Sequence, residues 1–137
     1  MSAIYQQLSA LLLPQEILSE PAGLLTDQRR RYTGTADLVL QPQSVEAVQT
    51  IMRFCFEHRI PVTPQGGNTG LCGAAVPRGG VLLNLSRLNR IRSISTADNA
   101  ITIEAGCVLH DVQQAAEGAG RFFPLSLASE GSCQIGG

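Results

Sequence analysis

The residues best suited to chemistry in this 137-residue chain lie between Pro64 and Pro77, PQGGNTGLCGAAVP, where four glycines fall within fourteen positions. Glycine has no Cβ to hold a ligand away and adopts positive φ at little cost. Successive exposed N–H groups in such a bend form a concavity for an anion, a pyrophosphate among the candidates. In the two common phosphate-binding architectures the glycines run directly into a helix whose N-terminus faces the phosphate. Here Pro77, Arg78, Gly79 and Gly80 lead instead into VLLNL (81–85), which reads as a strand. Neither G-x-G-x-x-G nor G-x-x-x-x-G-K-[ST] occurs in the chain. A different nucleotide fold is indicated.

A second loop, RFFPLSLASEGSCQIGG (121–137), again mixes glycine with small hydroxyl residues. Ser126, Ser129, Gly131, Ser132, Gly136 and Gly137 offer hydroxyl donors beside unobstructed backbone, and Phe122, Phe123 and Pro124 an apolar wall. A serine–glycine loop alone is usually only a turn. Two such loops together suit one ligand with a flat apolar part and an anionic tail.

Other reactive types read as structural. His58 closes a helix, where a positive imidazole suits the dipole. His110 and Asp111 are neighbours in the first turn of another helix and point about 100° apart, which favours capping over joint catalysis. Cys55, Cys72, Cys107 and Cys133 form no C-x-x-C pair. With no export signal, reduced thiols in a cytoplasmic protein are expected, and Cys55 on an apolar helix face is expected to be buried and inert.

All ten positive charges are arginine, so neither a Schiff base nor a lysine phosphate anchor is available. The formal net charge of −1 gives no basic field for nucleic acid, and aromatics at 4% give no base-stacking platform. The longest N-terminal apolar run, Ala10 to Leu13, is too short to cross a bilayer. The Arg29–Arg31 cluster reads as a solvated surface feature.

Residues 1–36 are expected to form an N-terminal helical segment: a helix over 3–13 with Ser2 as N-cap and Pro14 as stop, then a short helix near Gln15–Ser19. Residues 37–137 read as an α+β domain. DLVLQ (37–41) is a buried strand. A helix over 45–58 carries Val45, Val48, Ile51, Met52 and Cys55 at helical spacing, and IPVTP (60–64) is a second strand. Strand, helix and strand of this length make a right-handed parallel βαβ unit. The first glycine loop therefore leaves the carboxyl end of a parallel strand, where open α/β sheets bind ligands. Val81–Leu85, Ile91–Ser95 and Ala100–Glu104 are further strands, assigned with residues 65–137 to a mixed or antiparallel sheet. The last two are joined by a tight Ala97-Asp98-Asn99 turn. Leu109, Val112 and Ala116 line a final helix.

At LVLQPQSVEAVQTIMRFCFEHRIPVTPQGGNTGL (38–71) and ITIEAGCVLHDVQQAAEGAGRFFPLSLASEGSCQIGG (101–137) the chain resembles the flavin-binding domain of FAD-linked oxidases of the vanillyl-alcohol oxidase type. Within them it is similar to the branch containing the FAD subunit of glycolate oxidase, D-lactate dehydrogenase and D-2-hydroxyglutarate dehydrogenase. The resemblance implies that Gln65, Gly66, Gly67, Asn68, Thr69, Gly70 and Leu71 wrap the FAD pyrophosphate, Asn68 and Thr69 through their side chains as well. It implies that the segment from Pro124 to Leu127, Leu125 included, lies near the isoalloxazine. Ser129, Gly131, Ser132, Gly136 and Gly137 would contact its polar edge and the ribityl–phosphate region. Some relatives attach FAD through a histidine in the first loop; Asn68 stands in this loop, so non-covalent FAD is expected.

The resemblance also implies a small 2-hydroxy acid substrate, bound by regions beyond this chain. On that reading the 137 residues are a piece of a longer enzyme, inactive and with weak or no FAD binding alone, with self-association through an open edge at Gly137. A non-catalytic nucleotide- or phosphate-binding module is the alternative, and a purely structural fragment the third. The flavin reading requires the bends near Asn68 and Ser132 to meet in space.

Overall fold

The computed structural model describes residues 2–21 and 23–136. The first helix, α1 (Ala3–Ala10), buries Leu8 and stops three residues short of the expected end. The N–H groups of Leu11 and Leu12 fold back onto the carbonyls of Leu8 and Ser9, and Leu13 is extended at ψ 142° ahead of Pro14. The residue before a proline is driven out of helical geometry by the proline ring. Only a single 3-10 turn, Pro14–Glu16, follows. Among the described residues, the rest of the first 36 positions is therefore not helical. Residues 16–18 pair antiparallel with the outer edge of β1 (Leu38–Leu40), through Leu18 N–H to the Val39 carbonyl and Gln41 N–H to the Glu16 carbonyl. An edge strand that would otherwise present free backbone is thereby covered.

Helix α2 (Val45–Glu57) starts where Ser44 accepts a hydrogen bond from Ala47 N–H at 3.1 Å. It buries Ile51 and Cys55, while Met52 stays exposed. Strand β2 (Val62–Gln65) follows, and β3 (Val81–Asn84) completes a three-stranded parallel sheet in the order β1-β3-β2. The expected β-strand, helix, β-strand unit is parallel, but its two strands do not touch. Strand β3, assigned from sequence to the mixed sheet, lies between them. Its four residues are all buried, and a strand covered on both faces reads as a continuous apolar run. Pro64 is tolerated in β2 because that strand is an edge. Leu8, Leu38, Leu40, Ile51, Cys55, Val81, Leu83, Leu85 and Leu88 form one core cluster. Burial pushes the Cys55 thiol up, as expected of an inert cysteine.

Strands β4 (Ile91–Ser95) and β5 (Ala100–Ile103) form a separate antiparallel hairpin, with Asn99 at φ 51° in its turn. Arg121 clasps that turn, donating to Asn99 Oδ1 at 2.6 Å and to the Thr96 carbonyl at 2.7 Å. Helix α3 (Leu109–Gly118) buries Leu109, Val112 and Ala116. The edges of the parallel sheet are β1 and β2; Gly137, where an open edge was expected from sequence, is outside the described residues.

Candidate functional site

The glycine loop leaves the carboxyl end of β2 and returns to the start of β3. Its first residue is its anchor. Gln65 is fully buried; its Nε2 donates to the Leu24 and Ala75 carbonyls at 2.8 and 3.0 Å. Its Oε1 accepts from Asn84 Nδ2 at 3.1 Å, and that amide also donates to the Gly66 carbonyl. Buried polar groups require partners of this kind. Asn68, at φ 53°, donates from Nδ2 to the Thr26 carbonyl at 2.8 Å. Both side chains are turned toward the protein, that of Asn68 in place of the ligand contact expected from sequence.

The two loops meet. A Cβ on Gly67 would be driven into the carbonyl oxygen of Ser132, so glycine is required there by the facing backbone. Between the loops lies a cleft of about 670 Å³, within the size range of small-molecule sites. One wall is Gly66, Gly67, Asn68, Thr69, Gly70 and Leu71; Leu125 and Ser129 stand on the other.

Pro124 lines a neighbouring hollow of about 490 Å³ with Phe122, Phe123 and Arg121, joined to the cleft at Leu125. Gly131, Ser132 and Gly136 do not line the cleft. Ser132 holds the apposition of the loops, and Gly136 packs on Ala105, to whose carbonyl its N–H donates at 2.8 Å. Sequence reasoning missed Pro64, Ala74, Ala75, Leu109, Cys133, Gln134 and Ile135, which also line the cleft, as does Leu127. Ala74 and Ala75 continue the same loop as small residues, which was a readable signal. Leu109 was not readable as a lining residue, because only tertiary packing turns the start of α3 toward the loop.

The chemistry of the cleft is that of neutral donors. None of its lining residues carries a formal charge. Among the described residues, no protein acceptor takes the backbone N–H of Gly67, Asn68, Thr69, Gly70 or Leu71. A Cβ on Gly70 would meet open space, so the loop leaves room where a ligand can approach. Five unclaimed N–H groups along one bend have the chemistry to receive an anion through backbone dipoles. Leu71, Leu125, Leu127 and Ile135 give the apolar remainder.

The second loop is held by main-chain turns. Ser132 and Cys133 N–H groups both donate to the Ser129 carbonyl, at 2.8 and 2.7 Å. The N–H groups of Leu109 and His110 donate to the Cys133 and Glu130 carbonyls, which ties the loop to the start of α3. Beneath it, Glu104 is buried and bonded by Arg90 and Arg92. The Arg90 guanidinium and backbone N–H hold its carboxyl down to about 2. His58 and His110 line no part of the cleft.

Comparisons with known proteins agree with this geometry. The chain is 36% identical over 130 residues to D-2-hydroxyglutarate dehydrogenase, mitochondrial, of Danio rerio, covering 92% of this chain and 24% of that one. It is 37% identical over 112 residues to a putative mitochondrial D-lactate dehydrogenase of Schizosaccharomyces pombe, covering 81% and 21%. The chain thus spans about a quarter of the length of these relatives. In fold it matches alkyldihydroxyacetonephosphate synthase with a TM-score of 0.84 at 18% identity, covering 99% of this chain and 28% of that one. Xylooligosaccharide oxidase from Myceliophthora thermophila C1 gives 0.79 at 17%, covering 98% and 29%. The expectation of a cytoplasmic protein is overturned, since the relatives from zebrafish, Arabidopsis thaliana and fission yeast are named as mitochondrial. Their names do not follow from composition, which carried that expectation. A family model described as FAD binding domain matches residues 36–137, and the chain belongs to that family of FAD-binding flavoprotein domains.

Proposed function

We propose that this chain forms part of the FAD cradle of a flavin-dependent dehydrogenase that oxidises a small 2-hydroxy acid of the D-lactate, glycolate or 2-hydroxyglutarate type. One observation carries the reading: two loops distant in sequence face each other across an uncharged cleft, one of them with five unclaimed N–H groups. When bound, FAD supplies the two-electron acceptor chemistry that an alcohol carbon needs. The N–H groups of Gly67 to Leu71 bind the diphosphate, joined by the Thr69 hydroxyl and, from the opposite loop, the Ser129 hydroxyl. Leu125, Leu127 and Ile135 exclude water from the apolar part. Asn68 and Gln65 act by holding the loop.

The FAD is held non-covalently, a reading supported by the absence of histidine from the residues lining the cleft. No carboxylate or imidazole lines the cleft either. That supports the reading that the chain alone does not turn over a hydroxy acid, although Glu117 and Glu130 line the neighbouring hollow. The dehydrogenase names of the relatives favour this reading over a non-catalytic phosphate-binding module. Self-association through an edge at Gly137 belongs to the same proposal; sedimentation giving a monomer at every concentration removes it.

FAD titration of the chain, followed by flavin fluorescence, is the test. Weak saturable binding is expected, abolished by Gly70→Arg, which fills the open side of the loop without meeting protein atoms near its Cβ. Absence of saturable binding, or an unaltered affinity in Gly70→Arg, overturns the proposal.

A further inference from the structure

The segment just before the matched family region has its own hairpin. Thr26 and Thr33 form an antiparallel bridge, with Gly34 N–H donating to the Leu25 carbonyl at 2.8 Å and Asp27 N–H to the Tyr32 carbonyl at 3.0 Å. Asp27 closes its end. The side chain is buried, at 3% exposure, and accepts from Tyr32 N–H at 2.7 Å and Arg29 N–H at 3.3 Å. The Tyr32 N–H, more than any other group, holds this carboxyl below its usual range.

This hairpin touches the glycine loop along its length. The Leu24 carbonyl accepts from Gln65 and the Thr26 carbonyl from Asn68. The Tyr32 ring lies so close to Gly73 that a Cβ there would stand 2.9 Å from it, and Gly73 has φ 77°. Thr35 N–H donates to the Pro77 carbonyl at 3.1 Å. Among these contacts are the two polar side chains of the loop that face away from the cleft.

We infer that residues 24–35 are a positioning element for the anion-binding loop, with Asp27 as its latch. Asp27 lines no part of the cleft. It acts through the hairpin carbonyls, which keep Gln65 and Asn68 turned inward and leave the N–H row of Gly67–Leu71 aimed at the ligand. A flexible loop must be ordered when its ligand binds, and ordering it beforehand removes that penalty. The identity of the ligand rests on the FAD reading above; the mechanical coupling does not.

Two measurements on the 137-residue chain test this with Asp27→Asn, Asp27→Ala and Asn68→Gly, the last keeping the positive φ while removing the amide. Nuclear magnetic relaxation reads the loop directly. In Asp27→Ala the order parameters of Gly67–Leu71 fall from about 0.85 to below ~0.6, while those of β1 and β3 stay unchanged. FAD titration then shows a dissociation constant raised about three- to tenfold, with Asp27→Asn between that variant and wild type and Asn68→Gly weakened similarly. Loop order parameters and FAD affinity that remain at wild-type values, even with a lowered melting temperature, overturn the inference. A simultaneous loss of order in β1 and β3 also overturns it, since Asp27 would then hold the whole domain. A wild-type chain that binds no FAD removes the cofactor reading alone, and the relaxation comparison still decides the coupling.

Discussion

The two walls of the cleft are built on opposite plans. The first, Gly66–Leu71, is braced from behind by the buried side chains of Gln65 and Asn84 and the partly buried Asn68: together they bond five backbone carbonyls, and Gln65 and Asn84 also bond each other. The second, Leu125–Ile135, is held mostly by its own main chain, through turns centred on the Ser129 carbonyl and two N–H groups at the start of α3. Side-chain bracing leaves backbone N–H groups free for a ligand, whereas main-chain turns use them internally. The anion is thereby directed to the first wall, and the second supplies shape.

Breaking the brace has the largest expected effect. Gln65→Leu leaves the Leu24 and Ala75 carbonyls and the Asn84 amide with lost partners in a buried place, which costs about 2–4 kcal/mol. Urea unfolding reads it as a lower midpoint, and a change under ~1 kcal/mol would show that the network is not a brace. Gly67→Ala attacks the meeting of the walls. Its Cβ collides with the Ser132 carbonyl, and forced displacement of this kind costs about 1–3 kcal/mol. Loss of FAD binding is expected to accompany the lower stability, whereas Gly70→Ala, with open space around its Cβ, leaves stability within ~0.5 kcal/mol.

Acid separates the support beneath the second wall. The folded Glu104 carboxyl titrates at about 2, against about 4.3 for an unfolded glutamate. A depressed folded value means the stabilisation is complete above about pH 5 and is lost as pH falls through 4 toward 2. The depressed Asp27 carboxyl acts in the same direction. The urea midpoint is therefore expected to fall between pH 6 and pH 3, and Glu104→Gln to flatten part of that dependence. The smallest effect belongs to Gly131→Ala: nothing lies within 4 Å of the new Cβ, and the melting temperature should move by no more than about 2 °C.

Much of the local structure was legible. The helix over 45–58 with its apolar face, the Ala97-Asp98-Asn99 turn and the strand at 81–85 follow from spacing and residue type, because neighbours in sequence decide them. The order β1-β3-β2 was not, since any buried apolar strand satisfies the same pattern in either position. The early end of α1 was concealed, because Leu11 and Leu12 continue its apolar spacing, and the short helix expected near Gln15–Ser19 gives way after Glu16 to pairing of residues 16–18 with β1.

The sequence by itself determined that this protein has two ligand-type loops, and which glycines permit close approach. Only the tertiary structure decided what each residue in them faces. Gln65 and Asn68 carry donors and acceptors equally suited to a phosphate or to a carbonyl. The choice went to the carbonyls of Leu24 and Thr26, forty residues and more away, because a buried amide must be satisfied by whatever the fold brings beside it.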